Sequence, residues 1–350
     1  MSSRNKFIVF FCLMLLATAG IAPRGARAQA GPSDEITAAL AEALDHYTRT
    51  EFNEGLAVAG KLLERDDLTA RDTIAVYEVM SIITYAMGED FKNESFTYLK
   101  NIADIGPCLI TLPREIWPRE LRDRWYRLSK EKDALVCEET AGGDIRTVAV
   151  MAFDNYSIGE YREKLGFLSK GLADFFQYDF AQISDLKVIE RDKIDFILKE
   201  MELQKSGAVD KSTAARVGKI LGAQLMVFGS ITQIDKNKAR MIVRVVRVET
   251  SEIIASGERE GKPDFVTMEK ELVAELAEKL DIMLTTDIRN MIETGGTSSM
   301  DAAELYARGL DYMDKYEYEK AYDYFKMAYD KDNSFFEAKR KMEIYRPLIG

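Results

Sequence analysis

Between Asp34 and Cys137 the apolar residues fall at helical spacing: Leu40, Leu44 and Tyr47; Leu56, Leu62 and Leu63; Ile74, Tyr77, Met80 and Tyr85; Phe96, Leu99 and Ile102. That pattern predicts short amphipathic helices, with Gly88 and Gly106-Pro107 as stops. Helices apolar on one face must stack in pairs to bury it, which is the signature of a helical repeat array. Pro107, Pro113 and Pro118 crowd an irregular crossover, and Pro118 is placed to start the next helix. On that helix Trp117, Leu121, Trp125 and Leu128 share a face, surrounded by Arg114, Arg119, Arg122, Arg124 and Arg127. Two readings stand there. One is a docking surface for a glycan or an acidic partner. The other is a capping helix with buried tryptophans, its arginines snorkelling to solvent beside Glu115, Glu120 and Asp123.

From Ile145 to about Ile292 the period changes. Thr147 to Phe153 is an apolar, partly β-branched run that predicts a buried strand. A helix follows on Leu165, Leu168, Leu172 and Phe176, then a strand at Leu186–Ile189. Two helices come next, one marked by Ile194, Ile197, Leu198 and Met201, the other capped by Asp210 and stopped at Gly222. Strands are then expected at Gln224–Ile234, Ala239–Val248 and Ile253–Ser256, joined by polar turns that imply an antiparallel meander. A long helix from Asp264 closes the block, apolar at Phe265, Met268, Leu272, Leu276, Leu280 and Met283. The order β-α-β-α-α-β-β-β-α describes a mixed sheet with helices packed over it.

Two glycine-bearing stretches, Thr140–Asp144 and Thr294–Ser299, separate this block from its neighbours. In the tail after Asp301, Leu305, Gly309, Tyr312, Ala321, Phe325 and Ala328 fall at the spacing of a tetratricopeptide repeat, which they resemble. Asn333 stands where that repeat usually has proline, and Phe335, Ala338 and Met342 begin a capping helix. The first block resembles the repeat more loosely, through Phe52, Gly55 and Leu62. A lone helix pair buries one face only. The face of Leu305, Tyr312 and Phe325 is therefore expected either to pack on the Asp264 helix or to await a partner.

Within the middle block, Val148-Ala149-Val150 with Phe153 and Asn155 resembles the opening strand of the CsgG family, the curli-secretion and assembly group. Val188-Ile189-Glu190-Arg191 and the following helix are similar to its second strand and helix. The stretch Thr213–Ile231 places Gly218, Gly222, Ala223 and Gly229 where that family has small residues around a helix-to-strand corner. An activator of penicillin-binding proteins and a flagellar accessory protein share much of this pattern. The resemblance implies an α+β fold: a central mixed β-sheet CsgG-like domain with helices, flanked by all-α TPR-like helical repeats. The expected division is 1–30 signal peptide, 31–140 TPR-like helical domain, 145–294 CsgG-like domain and 300–350 C-terminal repeat. The curli channel's extra membrane strands have no counterpart here. Asp154–Lys164 is too short and polar, and nothing supplies alternating strands of about ten residues to spare. The implied module is the family's soluble periplasmic domain.

Charge and composition narrow the function. Net charge is -11, and the first 30 residues hold four cations and no acid, leaving -15 on the rest. So acidic a chain repels phosphate backbones, which argues against nucleic acid as a partner. His46 is the single histidine, so serine-histidine triads and multi-histidine metal sites have no basis. Gly257–Lys262 is one residue short of a phosphate-binding loop and lacks its following hydroxyl. No catalytic residue, metal ligand or cofactor site is assigned.

The N-terminus reads as a targeting segment: Arg4 and Lys6, the apolar run Phe7–Ala19, and small residues at Ala26, Ala28 and Ala30 for cleavage. Cys12 follows Val9-Phe10-Phe11, too bulky for a lipid-anchor site. Removal of this segment leaves Cys108 and Cys137, a candidate disulfide in an oxidising compartment or else two separate buried thiols. The run Tyr312–Tyr329 holds six tyrosines, of which Tyr318 and Tyr322 are expected to be exposed and partner-binding; the alternative is that they fill the repeat core.

The expectation is a non-enzymatic periplasmic adaptor, exported by a cleaved signal peptide and with outer-membrane association left open, that binds other envelope proteins in assembly or export of cell-envelope or surface components. No nucleic acid or cofactor is expected; peripheral membrane association and homo-oligomerisation stay open. The alternative is a subunit of an oligomeric outer-membrane secretion channel of the curli type.

Overall fold

The structure, a computed structural model, describes residues 32–112, 114–137, 145–201 and 211–349. The expected targeting segment, the Gly142-Gly143 break and the Asp210 cap lie outside them. The chain forms two compact units, Met1–Cys137 with Glu343–Gly350, and Glu138–Met342.

The first unit holds helices α1 (Asp34–Thr48), α2 (Phe52–Leu62), α3 (Ala70–Ala86), α4 (Lys92–Ile105) and α5 (Arg119–Glu131). Local chemistry sets their starts. The Ser33 hydroxyl accepts from the Ile36 N–H at the head of α1, and Thr69 with Asp72 forms a capping box on α3. Asp72 Oδ1 also accepts from the Ser33 N–H at 3.1 Å, tying the two helix starts together. A Cβ at Gly55 would stand 3.0 Å from the Ala43 carbonyl and from Ile83 Cδ1, so only glycine lets α2 settle this close to α1 and α3. Pro118 precedes α5 as expected, and Trp117 and Trp125 are buried edge to face at 5.8 Å. Arg119 and Arg122 are buried with them, so these two arginines do not snorkel to solvent.

The second unit is built on a six-stranded mixed sheet: β1 (Arg146–Val150), β2 (Asp154–Asn155), β3 (Leu186–Val188), β4 (Leu225–Asp235), β5 (Lys238–Arg247) and β6 (Ile253–Gly261). Strand order is β3-β1-β4-β5-β6, and β2 pairs beside β4. The β3-β1-β4 part is parallel, its strands linked by α6 (Glu160–Lys164), α7 (Leu168–Ala181), α8 (Arg191–Glu200) and α9 (Lys211–Leu221). The β4-β5-β6 part is the antiparallel meander. The protein is thus α+β.

One sheet face is closed by α7 and by α10 (Phe265–Lys279), which bury Val227, Val243 and Val245. Glycines admit this packing: a Cβ at Gly257 would meet Leu272 at 2.6 Å, and one at Gly229 would collide with the Phe153 ring. On the opposite face α9 covers the start of β4, with Gly218 against Met226 and Val248. The closing helix ends at Lys279, short of Met283, which is 90% exposed. Asp281 turns the chain at a φ of 57°, and Thr285 caps a separate helix, α11 (Thr286–Thr294).

Helices α12 (Met300–Asp314) and α13 (Tyr318–Lys331) form a hairpin closed by Gly309 against the Phe325 ring, followed by α14 (Phe336–Tyr345). The hairpin docks principally on α7, not on the Asp264 helix, and through a different face from the expected one. Ala303, Tyr306, Ala307 and Leu310 are buried, whereas Leu305 and Tyr312 are half-buried. Small residues decide this. A Cβ at Gly171 would stand 2.8 Å from that of Ala307, so α7 and α12 come into backbone-close contact. Tyr306 then stacks on Phe175 at 5.7 Å and packs on Phe335 at 4.9 Å, while its hydroxyl donates to Asp174 at 2.6 Å.

Candidate binding surface

Beyond α9 the described residues leave the second face of the sheet uncovered. In the register of β4 and β5, Phe228 sits beside Arg244, Ser230 beside Ile242 and Thr232 beside Arg240. Across β6, Arg240 pairs with Glu260 and Ile242 with Glu258. On the other side of β4, Asp154 lies beside Ser230, and the chain continues along β4 through the Tyr156 and Ile158 N–H groups, which donate to Ile231 and Gln233. Alternation along the strands puts all these side chains on one surface. Phe228, Ile242, Val246 and Ile254 are half-buried there, and Tyr156 and Ile158 are 59% and 55% exposed.

The charges on this face are balanced. Arg240 meets Glu258 at 2.6 Å and Lys238 meets Glu260 at 3.1 Å. Tyr156 donates to Asp154 at 3.1 Å with Arg244 close by; burial raises the Asp154 carboxyl above its ordinary value against both of these neighbours. Glu258 and Glu260 also lie on β6, the last strand in the sheet order, where charge discourages indiscriminate edge pairing. The surface offers apolar area framed by charges of both signs.

Asp192, Asp195 and Asp314 are, among the described residues, three acids close enough to hold an ion. A guanidinium already sits among them. Arg191 reaches Asp314 with both terminal nitrogens at 2.8 and 2.9 Å, Asp195 at 3.3 Å and Asp192 at 3.4 Å. The cluster is a buried ion-pair network joining α8 to α12.

Cys108 and Cys137, the sequence's disulfide candidates, are bonded to each other in the first unit, with Cα atoms 5.5 Å apart. Tyr318 and Tyr322 both lie half-buried on α13; Tyr316 is the more exposed, 6.5 Å from the Tyr318 ring. Tyr312 and Tyr324 stack at 5.2 Å, so part of the tyrosine run is spent inside the hairpin. The open sheet face was not singled out from the sequence. Its signal, the alternation Lys238, Arg240, Ile242, Arg244 against Ala239, Met241, Val243, Val245, is the ordinary mark of a half-solvated strand.

The second unit is an α+β module built on a mixed six-stranded sheet. The sequence profile of the family described as "Curli production assembly/transport component CsgG" matches residues 129–243, about a third of the chain. No curated protein matches it. Among solved structures, the LpoB C-terminal domain from Escherichia coli is similar at 15% identity over 38% of this chain and 92% of that one, with a TM-score of 0.28. Lipoprotein GNA1162 from Neisseria meningitidis is 13% identical over 40% and 99%, with a TM-score of 0.30. A PelC dodecamer from Paraburkholderia phytofirmans is 13% identical over 42% and 96%, with a TM-score of 0.24. Among the described residues no helix is long and apolar enough to cross a membrane.

Proposed function

We propose that the chain is a non-enzymatic adaptor of the bacterial envelope, exported by a cleaved signal peptide, that binds other envelope proteins during assembly or export of surface components. In this reading a CsgG-like module at 145–294 stands between TPR-like helices at 31–140 and a C-terminal repeat at 300–350. The observation that carries it is the uncovered face of β4, β5 and β6, where Phe228, Ile242, Tyr156 and Ile158 form an apolar strip between balanced charges. The match to the curli assembly family over 129–243 supports the same role. Tyr318 and Tyr322 add a second contact on the C-terminal repeat.

The test is a photo-crosslinker placed at Ile242 in the exported protein, with a control at exposed Glu293. Crosslinks to another envelope protein at Ile242 alone, abolished by Phe228→Glu at unchanged melting temperature, are expected. Crosslinks equal at both sites overturn the sheet face as the surface. Resistance of the protein to carbonate extraction overturns the adaptor reading in favour of a channel subunit. Replacing Tyr318 and Tyr322 with serine is expected to weaken partner capture without loss of stability; unchanged capture, or collapse of the fold, removes the pair from the surface.

A further inference from the structure

The joint between sheet and C-terminal helices contains buried acids that the binding surface does not use. Asp179 on α7 and Glu269 on α10 are both fully buried, with side-chain exposure of 0%. Both carboxyl groups crowd one ammonium, and Asp179 raises the affinity of Glu269 for a proton. Lys270 is the cation beside them: its Nζ donates to Asp179 Oδ2 at 2.6 Å and stands 3.8 Å from Glu269 Oε2. Other groups that face the pair are Asp174 and Tyr178 from α7, and Glu337 and Arg340 from α14. Gly295 and Gly296 cross above. A Cβ at Gly295 would touch the Tyr178 ring at 3.2 Å, and one at Gly296 would touch Lys270 Nζ at 3.4 Å.

Donors and acceptors do not balance when every acid is ionised. Asp179 Oδ1 and both oxygens of Glu269 then have no donor, and neither does Glu337 Oε2. Two carboxylates and a third nearby would crowd the Lys270 ammonium, with four of their oxygens shielded from water and lacking a donor. Unpaired buried charge of that kind is expensive, and a carboxyl pair relieves it by keeping a proton between its oxygens. One proton on Glu269, donated to Asp179, supplies the missing donor and leaves a single carboxylate for Lys270.

We propose that this shared proton latches the C-terminal helices to the sheet, and that its loss at raised pH loosens them, making the joint a pH-sensitive hinge. Glu337 is what makes the latch report on the tail: it enters from the C-terminal helices, so a second negative charge on the Asp179–Glu269 pair repels the element that carries it. Burial is the main cause of the shift in each acid. Asp179 is pushed up to about 6, helped by Glu337 and opposed by Lys270, and Glu269 is pushed well above the carboxylate range by burial and then by Asp179. Acids whose folded value is raised add stability at low pH and lose it as pH climbs through that value. The joint is therefore tightest below the ordinary carboxyl value of 3.8 and loosens as pH climbs from there through about 6 and, for Glu269, beyond it.

Hydrogen exchange on the full chain tests this, scored as protection of α12 and α13 relative to β4 and β5 so that the intrinsic pH dependence cancels. In the wild type the ratio is expected to fall about tenfold or more between pH 4 and pH 8, the equivalent of one proton held at least about one pH unit more tightly. Glu269→Gln places a neutral donor where the shared proton sits and should hold the ratio flat and high. Asp179→Asn, as a second variant, should also flatten it. A flat wild-type profile overturns the proposal. So does a fall that persists in whichever of the two variants folds. Neither outcome involves a partner, so the adaptor reading stands or falls separately.

Discussion

Arg191 on α8 holds Asp314 on α12 through two parallel bonds, Nη1 to Oδ2 at 2.9 Å and Nη2 to Oδ1 at 2.8 Å. Lys170 joins the same carboxylate at 2.9 Å and Asp311 at 3.2 Å. The guanidinium is nearly buried, and its proton is bound more firmly than usual because Asp314, Asp195 and Asp192 outweigh the cost of burial. Arg191→Leu removes the guanidinium that Asp192, Asp195 and Asp314 share and is expected to cost about 3 to 5 kcal/mol. Arg191→Leu with Asp314→Leu should recover part of that loss, because one uncompensated charge is gone. Urea melts of the two variants check it, and a single variant as stable as the wild type would reject the clamp.

Glu78 gives a pH dependence in the first unit. Its buried carboxylate accepts from the Thr111 N–H at 3.0 Å, the Thr111 hydroxyl at 2.5 Å and the Leu112 N–H at 3.2 Å. Burial raises its pKa, and these donors with Arg114 lower it; burial wins, leaving it at about 7. Folding thus favours the protonated acid, so stability is greatest below pH 4.5 and declines towards pH 7. Glu78→Gln should remove roughly 2 to 3 kcal/mol of that decline, read from melting temperature against pH. Parallel curves for the two proteins would contradict it.

The Cys108–Cys137 bond closes a loop across a sequence separation of 29. Chain entropy alone makes its loss worth about 3 to 4 kcal/mol. Mass spectrometry of unreduced peptides from the exported protein should show the linked pair, and reductant should lower the melting temperature of the first unit. Labelling of both thiols in natively exported protein is the contrary result.

Processing should leave a chain that begins between Gln29 and Gly31, after the small residues that follow the apolar run. N-terminal sequencing of the exported protein decides it; an intact Met1 would mean that the segment is kept.

The order of most strands and helices is legible because β1, β3, β4 and β5 carry apolar residues at strand spacing and the long helices carry a stripe. What was hidden lay in shorter or three-dimensional features. Strand β2 has only Asp154 and Asn155, too few to show a period, and earns its place through the register with Ser230 and Ile231. Met283 looked like a last helical turn, but Asp281 takes a left-handed conformation that ends the helix first. The docking face of α12 could not be read from its own stripe, since Gly171 on another helix selects Ala307. Glu269 looks like a solvent-facing charge within an amphipathic pattern. Its burial comes from α7 and from the C-terminal helices, which no window along α10 contains. The open face of the sheet shared its alternation with any half-solvated strand, and only the positions of the covering helices distinguish it.

Residues Glu343–Gly350 belong to the first unit, where the Arg346–Leu348 turn meets α1 and buried Tyr345 lies near Tyr47. Synthesis from the N-terminus delivers α1 to α5 first, yet Glu343–Gly350, which cluster with them, follow more than 200 residues later. The earliest unit to emerge is the last to close. Until then Tyr47 and its surroundings await a segment from the far end of the sequence, a long loop closure that slows folding and leaves apolar surface open to a holding chaperone. A premature stop just before Glu343 would consequently injure the opposite end of the protein, sparing the sheet and exposing the helices made first.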